Sequence, residues 1–161
     1  MNGESPTLAA IRRLLLLLVA GGTVAMGIDL TLIGHYEDSN QAIPLAVGGA
    51  GLLTMMWVVL RPTLARLRVL QLVMLCFIGT GVIGVALHFQ ANAEFQREID
   101  PAISTRDLIW KVAEATAPPA LSPGLLVQLG LLGLVYTYRH PALGAPEPGL
   151  NSQGDQGVQG D

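Results

Sequence analysis

Four long apolar runs account for most of the chain, at residues 14–34, 43–60, 69–87 and 120–138. Inside each run, apolar residues follow one another without the alternation typical of a surface helix or a half-buried strand. A helix of about 20 apolar residues is long enough to cross the hydrocarbon core of a bilayer. The pattern therefore predicts an all-α integral membrane protein, a four-helix transmembrane bundle formed by residues 1–140.

The two ends of these runs differ in charge. One set of ends carries the arginines Arg12, Arg13, Arg61, Arg66, Arg68 and Arg139. The opposite ends carry His35, Glu37 and Asp38, and an excess of carboxylates in the loop at 88–119. Because the cytoplasmic loops of membrane proteins are enriched in Lys and Arg, we expect both termini to be cytoplasmic. We interpret the chain as a multi-pass protein of a bacterial cytoplasmic membrane.

The first run also has the layout of a signal peptide. Arg12 and Arg13 would be its basic region, residues 14–18 its apolar core and residues 23–25 its small-residue exit. Cleavage there would leave three spans. The apolar run continues past this point to Ile33, which favours retention as a span, but both alternatives stay open.

The loop at 88–119 is the longest polar segment between the runs. Its first part is expected to extend the third helix to residue 99, until Pro101 stops it. Ser104 to Asp107 then read as a capping box that opens a short amphipathic helix ending near Ala115. With Trp110 at its middle, this helix is predicted to be interfacial, lying on the outer leaflet or capping the bundle.

The local sequence also predicts two helix starts and the character of the C-terminal segment. Pro44 is expected in the first turn of the second span, and Ser122 and Pro123 are expected as the N-cap and first residue of the fourth. The segment 141–161 is rich in Pro, Gly and Gln and has little apolar matter, which predicts a disordered cytoplasmic tail.

Glycine is abundant within all four runs. Lipid provides no hydrophobic drive for helix association, so close approach through small residues must supply much of the packing. We expect the glycine-rich faces to pack against each other, against a second copy or against other membrane subunits. Residues 79–84 also match the dinucleotide fingerprint G-x-G-x-x-G, but that motif requires a strand-to-helix turn and here lies inside a span.

Ionisable groups at the acidic ends form the only candidate ligand set. Asp29 is the one carboxylate inside an apolar run, where insertion costs at least about 2.5 kcal/mol. Two carboxylates one helical turn apart, with histidines nearby, could hold a divalent cation. The candidate metal ligands are Asp29, His35, Glu37, His88, Glu94 and Glu98. A solvated acidic rim is the competing interpretation, and histidines at span ends argue against haem.

Composition narrows the function classes. Hydrophobic residues make up 51% and charged residues 13% of the chain, whose net charge is -3, and no basic stripe suggests nucleic acid binding. No nucleophile stands beside a base, which argues against an enzyme. We therefore expect a non-enzymatic accessory or scaffold subunit that packs with other membrane proteins. The alternative is a protein that binds or passes a cation or proton at the acidic, histidine-bearing rim.

Overall fold

The fold is an antiparallel arrangement of helices. A computed structural model describes residues 5–115 and 123–144. Its elements are α1 (Pro6–Leu32), α2 (Ser39–Leu60), α3 (Leu64–Ile99), α4 (Thr105–Ala113), α5 (Gly124–Thr137) and a 3-10 turn at Pro141–Leu143. Within the described residues there is no β-strand. α1, α2 and α3 are long and apolar enough to cross a membrane, whereas α5 is apolar but has only 14 residues.

The long helix α3 organises the core. Thr63 caps its first turn by accepting the amide of Arg66 at 3.4 Å, and the helix runs unbroken to Ile99. Asp100 is its C-cap and immediately precedes Pro101, so the predicted extension of the third helix to residue 99 is confirmed. A stripe of residues three or four apart packs against α2 and α5: Leu67, Leu70, Met74, Phe77 and Gly81.

Glycines bring α3 and α5 into close contact. A Cβ atom at Gly81 would lie 2.8 Å from the amide nitrogen of Val127, and one at Gly130 would lie 2.7 Å from the carbonyl oxygen of Met74. A Cβ atom at Gly133 would run into the sulfur of Met74. At Gly81 and Gly130 the nearest atoms include backbone, so neither position has room for a side chain unless the helices separate. This confirms the expectation that small residues allow the helices to approach.

α1 and α2 complete the bundle. α1 is capped by Ser5, whose hydroxyl accepts the amide of Leu8 at 3.3 Å, and its apolar core residues are Val19 and Met26. α2 approaches α3 at Gly51, where a Cβ atom would lie 2.5 Å from the ring of Phe77. We call the end of the bundle that carries Arg12 and Arg61 the basic end, and the end that carries His35 and His88 the acidic end.

α4 docks on the part of α3 that extends past the apolar run. Ser104 accepts the amide of Asp107 at 3.2 Å and donates to its carboxylate at 2.7 Å, so the predicted helix start is confirmed. Leu108 and Val112 are buried against Ala93 of α3. The helix ends at Ala113, slightly before the expected residue.

Three local predictions need correction or fall outside the described residues. α2 begins at Ser39, so Pro44 lies inside the helix rather than in its first turn and cannot donate to the carbonyl of Asn40. Pro123 is the N-cap of α5 rather than its first residue, and Ser122 lies outside the described residues. Of the predicted tail, Pro141–Leu143 forms the 3-10 turn, and residues 145–161 lie outside the described residues.

Candidate functional site

Two histidines from different helices meet at the acidic end. His35 lies in the turn that follows α1, and His88 lies on α3 where its apolar run ends. Their ring centroids are 6.2 Å apart and the ring planes are inclined by 61°. Both side chains are half-buried. The structure thus brings together two of the six predicted ligands.

The four predicted carboxylates are more dispersed. Asp29, Glu37, Glu94 and Glu98 are all exposed. Glu94 accepts a hydrogen bond from the side-chain Nε2 of Gln90 at 2.9 Å. Across residues 5–115 and 123–144, no three His, Cys, Asp or Glu side chains converge on a common point. A metal site formed by all six residues stays a prediction. Within this set, His35 and His88 are the two side chains that the structure brings together.

A second feature is an open groove between α1 and α2. It lies in the halves of these helices nearest the acidic end and has a volume of about 430 Å³. Its walls are apolar, with Ile28 on α1 and Leu52 on α2, and three glycines line it: Gly27, Gly48 and Gly49. Gly48 packs against Met26, because a Cβ atom placed at Gly48 would lie 3.3 Å from the Cε atom of Met26. Placed at Gly27 or Gly49, a Cβ atom has no neighbour within 4 Å.

At the basic end, one arginine joins α1 to the end of α5. Arg12 is 7% exposed, and its guanidinium donates to three carbonyl oxygens at the C-terminus of α5. The acceptors are the carbonyls of Tyr136 at 2.7 Å, Tyr138 at 3.0 Å and Arg139 at 3.0 Å. The last carbonyls of a helix have no partner within it, and a cation there also complements the helix dipole. Arg12 therefore fixes the end of α5 against the first turns of α1.

A polar chain reinforces this junction from α3. Gln71 donates to the hydroxyl of Thr137 at 3.1 Å and accepts from Arg68 at 3.1 Å, and Thr137 in turn donates to the carbonyl of Leu134. These hydrogen bonds join α3 to the last turn of α5. Neither contact can be predicted from the local sequence, because Gln71 is a single polar residue in an apolar run and Arg12 has the same flanking position as Arg13.

Comparison with known proteins adds no assignment. The chain matches no protein-family model, and searches of curated proteins and of solved structures found no match. The histidine pair, the α1–α2 groove and the Arg12 junction are therefore interpreted from their own geometry.

Proposed function

We propose that this protein is a non-enzymatic accessory subunit of the membrane, in which α1, α2, α3 and α5 are four antiparallel spans and both termini are cytoplasmic. The observation that carries the proposal is the α1–α2 groove, an open apolar surface with glycine at its floor and rim. Its proposed occupant is an apolar transmembrane helix of another protein.

The contacts of α5 support its role as the fourth span. A rise of about 1.5 Å per residue makes α5 about 21 Å long, less than the hydrocarbon core of about 30 Å. Its ends nevertheless lie beside opposite ends of the apolar run of α3, with Pro123 against Gly84 and Thr137 bonded to Gln71. A local thinning of the bilayer accommodates a short span at modest cost.

The burial of α1 supports its retention in the mature protein. Val19 is fully buried, and Arg12 supplies three hydrogen bonds to the end of α5. Cleavage within residues 23–25 would remove both from the bundle. We therefore propose that the first run is a permanent span and not a signal peptide.

The shape of the groove suits a helix better than a lipid chain. Gly27 and Gly49 leave backbone open to the groove. Small residues of this kind let the backbones of two helices approach closely, which strengthens their van der Waals packing in lipid. Leu52 and Ile28 provide apolar walls for a knob from the partner. This arrangement resembles the small-residue faces through which transmembrane helices associate.

The test is copurification in a mild detergent with a matched glycine control. The double variant Gly27→Leu and Gly49→Leu fills the groove, whereas Gly79→Leu places the same side chain on α3, where a Cβ also has no neighbour within 4 Å. We expect wild-type protein to copurify with a stoichiometric partner. The amount of that partner should fall at least tenfold in the groove variant and stay unchanged in Gly79→Leu. A partner retained by the groove variant, or a complex made only of this chain, would contradict the proposal.

A second candidate function is favoured by one observation, the approach of His35 to His88. Imidazoles at the acidic end would bind a cation or relay a proton there. This function does not need the groove, so the Gly27 and Gly49 variants should leave it unchanged. Replacement of either histidine should abolish it without affecting copurification.

A further inference from the structure

The backbones that carry His35 and His88 are both fixed. α1 ends in a Schellman motif in which Gly34 adopts the left-handed conformation, with φ of 69°. The amide of Gly34 donates to the carbonyl of Thr31 at 3.2 Å, and the amide of His35 donates to that of Leu30 at 2.8 Å. This is the 6→1 and 5→2 pattern that closes a helix. His35 thus follows a defined helix terminus rather than lying in a free loop.

His88 is held in the continuous helix α3. Its backbone carbonyl also accepts a hydrogen bond from the side chain of Asn92, at 3.0 Å, and Asn92 is itself buried. Neither histidine backbone has to refold for the two rings to approach. Ligands placed on such rigid elements lose little freedom when they bind.

The spacing of the rings is close to that of two imidazoles on one metal ion. A metal–nitrogen bond of about 2.1 Å, extended to the ring centre, separates two coordinated rings by about 5 to 6 Å at common ligand angles. The observed separation is 6.2 Å, so side-chain rotation and a small approach suffice. Metal-bound imidazoles ordinarily donate their second N–H to the protein, so other contacts of either ring are compatible with ligation.

We propose that His35 and His88 together bind one divalent transition-metal ion at the acidic end, with water in the remaining coordination positions. Imidazole nitrogen favours Cu²⁺, Ni²⁺ and Zn²⁺, whereas Mg²⁺ and Ca²⁺ require oxygen ligands. With two neutral nitrogen ligands, affinity should be highest for Cu²⁺. The inference rests on the second candidate function and is independent of partner docking.

The chain provides its own control, because its third and last histidine is His140, beside Tyr136 at the basic end. Protein purified without a polyhistidine tag is titrated with Cu²⁺, Zn²⁺ and Mg²⁺, and thermal unfolding is followed. We expect Cu²⁺ and Zn²⁺ to raise the Tm and Mg²⁺ to leave it unchanged. His35→Gln and His88→Gln should each weaken Cu²⁺ binding at least tenfold, and His140→Gln should not.

A spectroscopic measurement keeps the test independent of the folding of the variants. The electron paramagnetic resonance spectrum of the wild-type protein with one equivalent of Cu²⁺ should show coupling to two imidazole nitrogens. Coupling to one nitrogen or to none, or equal loss of binding in His140→Gln, would overturn the inference. A protein that binds no Cu²⁺ but copurifies a groove-dependent partner would overturn the metal site and leave the accessory function intact. The reverse result would overturn only the accessory function.

Discussion

Arg12 and Arg13 show how far the environment of a residue can depart from what its identity suggests. Both belong to the basic flank of the first run, and both support the same orientation. In the structure Arg12 is buried and bonded to α5, whereas Arg13 is exposed. Arg12 therefore joins α1 to the end of α5, whereas Arg13 contributes only an exposed charge.

Replacement of these two arginines should separate the two roles. Arg12→Ala leaves three helix-end carbonyls without their donor, and we expect a loss of about 2–4 kcal/mol in the free energy of unfolding. Arg13→Ala removes the same charge from an exposed position and should change it by less than about 0.5 kcal/mol. Thermal unfolding in detergent measures both. Equal effects of the two substitutions would refute the Arg12 junction.

Gly81 and Gly79 form a second matched pair, on one helix. In Gly81→Ala the new methyl would meet the backbone of Val127 and the carbonyl of Pro123, so α3 and α5 must separate. Overpacking of this kind costs about 1–3 kcal/mol. Gly79→Ala meets nothing within 4 Å and should gain about 0.5–1 kcal/mol through helix propensity. Unfolding midpoints check the signs, and a tolerated Gly81→Ala would show that the helices are less closely packed.

Residues with a specific backbone role predicted the boundaries of helices, whereas uniform apolar runs did not. The end of α3 before Pro101 and the start of α4 at Ser104 each depend on a residue with a specific backbone role, and both were predicted. The start of α2 was missed, because Ser39, Asn40 and Gln41 are polar yet helical, which leaves Pro44 in the interior. An apolar run indicates which residues contact lipid or core, but the helix that contains the run can begin before it, as α2 does at Ser39.

The docking of α4 on α3 should depend on one buried side chain, Val112. Val112 is fully buried against the α3 extension, whereas Ile109 on the same helix is 51% exposed. Val112→Ala removes about two methylene equivalents from this contact and should weaken docking by about 1.5 kcal/mol. Amide hydrogen exchange in α4 should then accelerate, while Ile109→Ala leaves it close to wild type. Acceleration in both variants, or in neither, would mean that α4 is not held through Val112.

For the whole molecule, the sequence predicted its class but not its contacts. Continuous apolar runs were sufficient to predict an all-helical chain, in which α1, α2 and α3 are long and apolar enough to cross a membrane. They could not indicate which faces meet, because residues 14–18 are all leucine and carry no helical phase. The pairing of His35 with His88 and of Arg12 with α5 depends on long-range packing that no local spacing encodes. Glycines, likewise, marked close approach without distinguishing packed Gly81 from open Gly49.

The number of spans decides on which side of the membrane the C-terminal segment lies, because a fourth span would return it to the side of the N-terminus. In a Cys76→Ala background, single cysteines are placed at exposed Thr7, Ala91 and Gly144 and treated with a membrane-impermeant maleimide. With four spans and cytoplasmic termini, we expect only Ala91→Cys to be labelled in intact cells, and Thr7→Cys and Gly144→Cys to react only after permeabilisation. Labelling of Gly144→Cys together with Ala91→Cys would contradict the fourth span, and labelling of Thr7→Cys and Gly144→Cys alone would reverse the orientation.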